Sequence, residues 1–95
     1  MAEYRTHMKI IGDILTTTRD EAPDDDGASV TYLIRKANIS HVRISKILHG
    51  LVSQGLIEQI DSRGACKYKI SNSGREFLQA YQTFSRFAEN FGLTI

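Results

Sequence analysis

Between Gly27 and Ile57 the chain carries four cations, Arg35, Lys36, Arg43 and Lys46, together with His41 and His49 and without a single acid. Guanidinium and ammonium groups gathered this way donate to phosphate oxygens, and an arginine aimed at a base edge pairs with guanine through two hydrogen bonds. The net charge of +1 conceals how strongly the charge is segregated. Residues 1–26 hold seven acids and three bases, a balance of −4. Residues 27–75 hold eight bases against Glu58 and Asp61, a balance of +6, and residues 76–95 come to −1. Phosphate neutralisation responds to local charge, so a near-neutral chain with a basic middle is expected to present one polyanion-binding surface on a solvated body. The plainer alternative is a solvated face of uneven charge.

Other chemistries find less support. There is no glycine-rich phosphate loop and no nucleophile with a base and an orienting partner, and Asp13 and Glu76 are single acids. His41 and His49 lack the companion ligands that a zinc site needs. Asp24-Asp25-Asp26 before Gly27 lacks the spaced ligands and distal glutamate of a calcium loop. The expectation is therefore a non-enzyme with no cofactor and no metal. One cysteine, Cys66, excludes an intrachain disulfide and suits the cytoplasm; a small residue on the inner face of a strand explains it better than redox sensing. No run of about 18 apolar residues and no signal-peptide core are present, so no membrane segment is expected. Ninety-five residues suffice for one domain with one modest core.

The elements that must position the cations follow from periodicity. Met8, Ile11, Ile14 and Leu15 recur at helical spacing over Thr6–Thr18, with Ile10 beside the stripe and fraying expected at Thr16-Thr17-Thr18. Residues 19–27 read as a charged loop. Ser29 is a candidate N-cap for a short helix, Val30 to Ala37, which Asn38 ends in a left-handed conformation. Ser40 caps a third helix from His41 to about Gln54, stopped at Gly55. Its apolar stripe is Ile44, Ile47, Leu48, Leu51 and Val52. At about 100° per residue, Val42, Lys46, His49 and Ser53 fall opposite, flanked by Arg43 and Gly50. A three-residue link, Asn38-Ile39-Ser40, between two short helices is a helix-turn-helix arrangement. Leu56–Ile60 and Cys66–Ile70 read as a hairpin with Arg63 near its tip. Ser71 or Asn72 then starts a long helix, about Ser73 to Phe91. Phe77, Phe84 and Phe91 repeat every seven residues, with Ala80 and Phe87 between them and Tyr81 and Ala88 widening the stripe, a pattern expected to meet another chain. Leu78 and Tyr81 are expected to pack on the chain's own domain.

Three segments resemble small archaeal winged-helix proteins. Gly27-Ala28-Ser29 … Arg35-Lys36-Ala37-Asn38-Ile39-Ser40 resembles their "G-A-T-K-T-x-I-x-x-x-A-N-L-S" signature. Leu51-Val52-Ser53-Gln54-Gly55-Leu56-Ile57-Glu58 is similar to "L-x-x-x-G-L-I-E", and Tyr68-Lys69-Ile70-Ser71-Asn72-Ser73-Gly74-Arg75-Glu76-Phe77-Leu78 to "Y-x-[LI]-T-x-x-G-x-x-F-L". The likeness runs from about Tyr4 to Leu93. It implies a mainly α fold with a small β-hairpin (α+β): a winged helix-turn-helix over residues 1–75 plus a long C-terminal dimerisation helix, 76–95, in one structural unit. It also implies a homodimer held by an antiparallel coiled coil, double-stranded DNA as partner, and a transcription-regulator or chromatin role. The chain departs from the pattern in a longer, more acidic segment at 19–26 and in Ile47 and Gly50, where tyrosines often occur.

On these grounds the DNA-binding set comprises Arg35, Lys36, Ser40, His41, Val42, Arg43, Lys46, His49, Arg63 and Lys67. Arg43 is the candidate for direct base readout, and Lys46 for base or phosphate. Arg35 and Lys36 suit phosphates beside the second helix, and Arg63, Lys67 and Lys69 place charge on the wing. Lys67 and Lys69 would also protect an edge strand from aggregation, and Ser40 would serve as a cap. Gly50 costs its helix about 1 kcal/mol against alanine, which either a close DNA backbone or helix packing would explain. The dimerisation set is Phe77, Ala80, Tyr81, Phe84, Phe87, Ala88 and Phe91. The expected function is sequence-specific regulation by a cytoplasmic, nucleoid-associated homodimer. The alternatives are an architectural chromatin-like protein and a protein-interaction adaptor.

Overall fold

The structure, a computed structural model, describes residues 6–20, 27–62 and 65–93. The described elements are, in order, α1 (His7–Asp20), β1 (Ala28–Ser29), α2 (Val30–Ala37), α3 (His41–Ser53), β2 (Ile57–Ser62), β3 (Ala65–Ile70) and α4 (Asn72–Glu89). Three of the helices start on a serine whose hydroxyl accepts an otherwise unpaired backbone N–H. Ser29 takes that of Tyr32 at 3.1 Å, Ser40 that of Arg43 at 3.2 Å and Ser71 that of Gly74 at 3.0 Å, each a cap worth about 1 kcal/mol. Asn38 ends α2 at φ 55°, its N–H donating to the Ile34 carbonyl at 2.8 Å. After α3, Gly55 at φ 77° donates to Val52 at 3.0 Å while Leu56 donates to Leu51 at 2.9 Å. These are the paired bonds of a Schellman ending, for which glycine is the least strained residue.

The start of α4 is tied to that ending. The Ser71 hydroxyl donates to the Gly55 carbonyl at 2.6 Å, and the Ser71 N–H donates to the Leu56 carbonyl at 3.1 Å. Gly74 is buried, and a Cβ there would collide with the same Leu56 carbonyl. The glycine four residues after Ile70 thus lets α4 lie close enough to fix its direction against α3.

The sheet is antiparallel in the order β1-β3-β2, with Ala28 opposite Tyr68, Ser29 opposite Lys67, Ile57 opposite Ile70 and Glu58 opposite Lys69. The sequence predicts only the hairpin, because a two-residue strand has no alternation to detect. β3 is therefore the central strand, and the edge-protecting role expected of Lys67 and Lys69 does not apply.

The core joins Ile10, Ile14 and Leu15 of α1, Leu33 and Ala37 of α2, Ile44, Ile47, Leu48 and Leu51 of α3, Ile57, Ile70 and Leu78. In α1 the inward face keeps Ile14 and Leu15 of the expected stripe and differs at its first turn. Ile10 is buried, Ile11 only half-buried and Met8 exposed. Adjacent isoleucines leave the phase of the stripe open, and packing against α2 and α4 decides it. Nor does α1 fray at its threonines. Thr17 and Thr18 are buried, and the hydroxyls of Thr16, Thr17 and Thr18 donate to the carbonyls of Gly12, Asp13 and Leu15 at 2.8, 2.8 and 2.9 Å. Burial with every hydroxyl satisfied outweighs the few tenths of a kcal/mol that β-branching costs a helix.

Two adjacent stripes divide α4. Gly74, Leu78 and Ala88 are buried and Tyr81 and Ser85 half-buried, and the Tyr81 ring lies so close to Gly12 of α1 that a Cβ there would meet it at 2.6 Å. Tyr81 thus packs on the chain's own body, as its expected contact with that domain requires, and Ala88 is buried. The neighbouring stripe, Phe77, Ala80, Phe84 and Phe87, turns outward, and Phe91 continues it in the turn after the helix. Phe77 is half-buried against the core, whereas Phe84, Phe87 and Phe91 are 57%, 60% and 67% exposed. Phe87 and Phe91 meet edge to face at 5.2 Å.

Candidate nucleic-acid interface

The candidate surface is built on α3. Its apolar stripe fastens it to the core, and the remaining face projects His41, Val42, Arg43, Lys46 and His49, all exposed and with no acid among them. Ser40, also exposed, spends its oxygen on the Arg43 N–H, and this cap fixes where the first turn starts. Val42 is 68% exposed. An apolar side chain held so far into solvent on a cationic face is suited to a thymine methyl. Gly50 has nothing within 4 Å of where a Cβ would stand, so packing within the chain does not require it.

Arg35 and Lys36 stand exposed in the last turn of α2, separated from α3 only by the Asn38-Ile39-Ser40 turn. The Tyr32 ring lies 5.9 Å from the Arg35 guanidinium carbon and 5.8 Å from Lys36 Nζ. A ring at these distances attracts both cations electrostatically and restrains their reach. Tyr32 is not among the residues that charge or periodicity single out, and its spacing of three and four residues from the two cations is the signal that points to it.

The wing residues are placed differently. Lys67 is half-buried on the central strand, opposite Ile60 on one side and Ser29, the N-cap of α2, on the other. Its backbone thus adjoins the start of α2, while Arg35 and Lys36 occupy the end. Lys69 is exposed and faces Glu58 across the register. Arg63 and the acidic run 24–26 lie outside the described residues. Away from this surface, at the end of α1, Arg19 Nε and Nη2 each donate to the Asp20 carboxylate at 2.7 Å. That pairing, with Arg75 adding to it, holds the Asp20 carboxyl below its ordinary range.

Among the described residues no group of three or more His, Cys, Asp or Glu is arranged to hold a metal ion, and no helix is long and apolar enough to cross a membrane.

A winged helix-turn-helix family model matches residues 4–89. The chain belongs to the winged helix-turn-helix family. The hairpin β2–β3 is its wing and α3 occupies the recognition-helix position. Among solved structures, the winged helix is similar to Sso10a-2, a DNA-binding protein from Sulfolobus solfataricus. The two superpose with a TM-score of 0.79 at 25% identity, over 92% of this chain and 85% of the other. No curated protein sequence matches the chain.

Proposed function

We propose that this winged helix is a homodimeric, sequence-specific DNA-binding regulator. The observation that carries the reading is the outward face of α3, which combines exposed Arg43, Lys46, His41, His49 and Val42 with no carboxylate. Inserted in a major groove, Arg43 pairs with guanine, Val42 meets a thymine methyl, and Lys46 reaches base or phosphate. His41 and His49 border the same groove. Arg35 and Lys36, steadied by Tyr32, take phosphates beside α2, and the wing with Arg63 and Lys67 lies over the flanking backbone or minor groove. The similarity to a DNA-binding protein of the same fold supports the partner class.

The dimer rests on the outer stripe of α4. Phe84, Phe87 and Phe91 expose more apolar surface than a solvated helix has reason to, at heptad-related spacing that a second copy of the same stripe would cover. Two recognition helices then address two half-sites. In such an assembly residues 76–95 supply the contact and residues 1–75 the reading head, and the protein resides with the nucleoid in the cytoplasm.

Salt titrations on a generic duplex and on the protein's own promoter region, with wild type and Arg43→Ala, test this. A steep salt slope with tighter promoter binding that Arg43→Ala loses is the expected result. Equal affinity for both duplexes identifies an architectural protein instead, and absence of salt-dependent binding identifies an adaptor.

A further inference from the structure

A cleft of about 360 Å³ opens between the start of α1, the inner edge of α3 and the base of α4. Ile47 and Leu51 form its buried floor, and Ile11, Leu56 and Phe77 its half-buried walls. Its polar groups are His7, Lys46 and Gln54, and no carboxylate lines it. An apolar hollow of a few hundred Å³ with a small number of convergent polar groups is the usual form of a small-molecule site. Lys46 supplies a full positive charge, and His7 and Gln54 each offer an N–H beside an acceptor atom. The complementary ligand has an apolar body and a terminal anion.

We propose that this cleft binds a small aliphatic or aromatic carboxylic acid, with Lys46 as its anchor, and that such a ligand loosens DNA. The second half rests on the DNA-binding reading above. Four of the nine lining residues, Lys46, Ile47, Gly50 and Leu51, belong to α3, and Gln54 is its C-cap. An occupant therefore touches the recognition helix directly. It also engages the ammonium group of Lys46 and offsets the charge that a phosphate or base would otherwise meet there. Linkage makes the antagonism mutual: whatever the acid costs DNA affinity, DNA costs the acid.

Octanoate is a suitable probe, with octanol as its uncharged counterpart. In ¹H–¹⁵N spectra of the full chain without DNA, octanoate is expected to shift the amides of His7, Ile11, Gly50 and Gln54 saturably, and about tenfold more tightly than octanol. Lys46→Met, which keeps the apolar stem, erases the preference for the acid. Ile11→Trp, on the wall opposite α3, fills the cleft and abolishes both titrations, while leaving duplex binding without ligand unchanged. Saturating octanoate lowers wild-type duplex affinity about tenfold and leaves that of Ile11→Trp intact. The proposal is overturned if octanoate shifts only amides around Phe84 and Phe87, or if the cleft amides respond to protein concentration instead of ligand, which makes a second copy the occupant. Cleft binding with unchanged duplex affinity overturns the coupling. A chain that binds no duplex even without octanoate defeats the DNA reading, and the titration without DNA still decides the site.

Discussion

The outward faces of α3 and α4 are both uncovered, yet they are uncovered in opposite chemical senses. On α3, the aliphatic residues other than Val42 turn inward and the exposed positions carry Arg43, Lys46, His41 and His49; on α4 and the turn after it, exposed positions carry Phe84, Phe87 and Phe91. Water satisfies the first face completely, so a partner there must offer more than water does, namely fixed anions and base edges whose counterions are released on binding. Water satisfies the second face poorly, and any apolar surface improves on it. The first face is thus built for selective, salt-sensitive contact and the second for persistent contact. The proposed function, a reading head that exchanges partners while its dimer contact stays closed, would require this division.

The largest test of the contrast is on α4. Phe84→Glu combined with Phe87→Glu is expected to convert a dimer to a monomer in light scattering, since buried aromatic anchors contribute about 2 kcal/mol or more each to an interface. Circular dichroism should be unchanged, because both side chains are more than half exposed in the single chain. If the molecular mass does not change, the apolar face serves something other than self-association. Next in size is Arg43→Ala, for which promoter preference over a generic duplex should fall by about 1–3 kcal/mol. A loss equal on both duplexes would make Arg43 a phosphate contact and remove the basis for sequence reading.

The same contrast marks what was legible beforehand. The caps at Ser29 and Ser40, the left-handed Asn38 and the stop at Gly55 are local chemistry that the sequence shows, and for α4 it narrows the cap to Ser71 or Asn72, of which Ser71 is the one observed. The cationic face of α3 is legible for the same reason: once the helix is delimited, 3.6-residue geometry assigns its sides. What failed depended on distant contacts. Strand β1 exists because Ala28 and Ser29 find β3 about forty residues away, and neither carries a strand signal. Ile10 is buried and Met8 exposed because the elements packed on α1, rather than its own periodicity, decide which face turns inward. On α4 itself two apolar stripes run side by side. Period alone does not separate the buried Ala88 from the outward Phe84 and Phe87.

A smaller effect separates positioning from reading. Arg35→Ala and Lys36→Ala should each weaken all duplexes alike and reduce the slope of log affinity against log salt by about 1. Tyr32→Leu should weaken binding less than either, since it removes the ring against which both cations rest and leaves their charges in place. If Tyr32→Leu costs as much as losing a charge, the ring itself touches the nucleic acid.

The smallest expected change is at Gly50, and it bears most directly on why the two faces differ. A methyl group there meets no atom of the chain within 4 Å. Gly50→Ala should therefore raise stability in urea denaturation by about 0.5–1 kcal/mol, the entropy that glycine costs a helix interior. A protein forgoes such a gain where something outside the fold needs the space. If a DNA backbone approaches α3 at this point, the variant that folds more firmly should bind duplex more weakly, with the salt slope unchanged because no charge has been altered. Should stability and affinity rise together, the open position on α3 is not shaped by DNA, and the cleft it borders becomes the better reason for a glycine there.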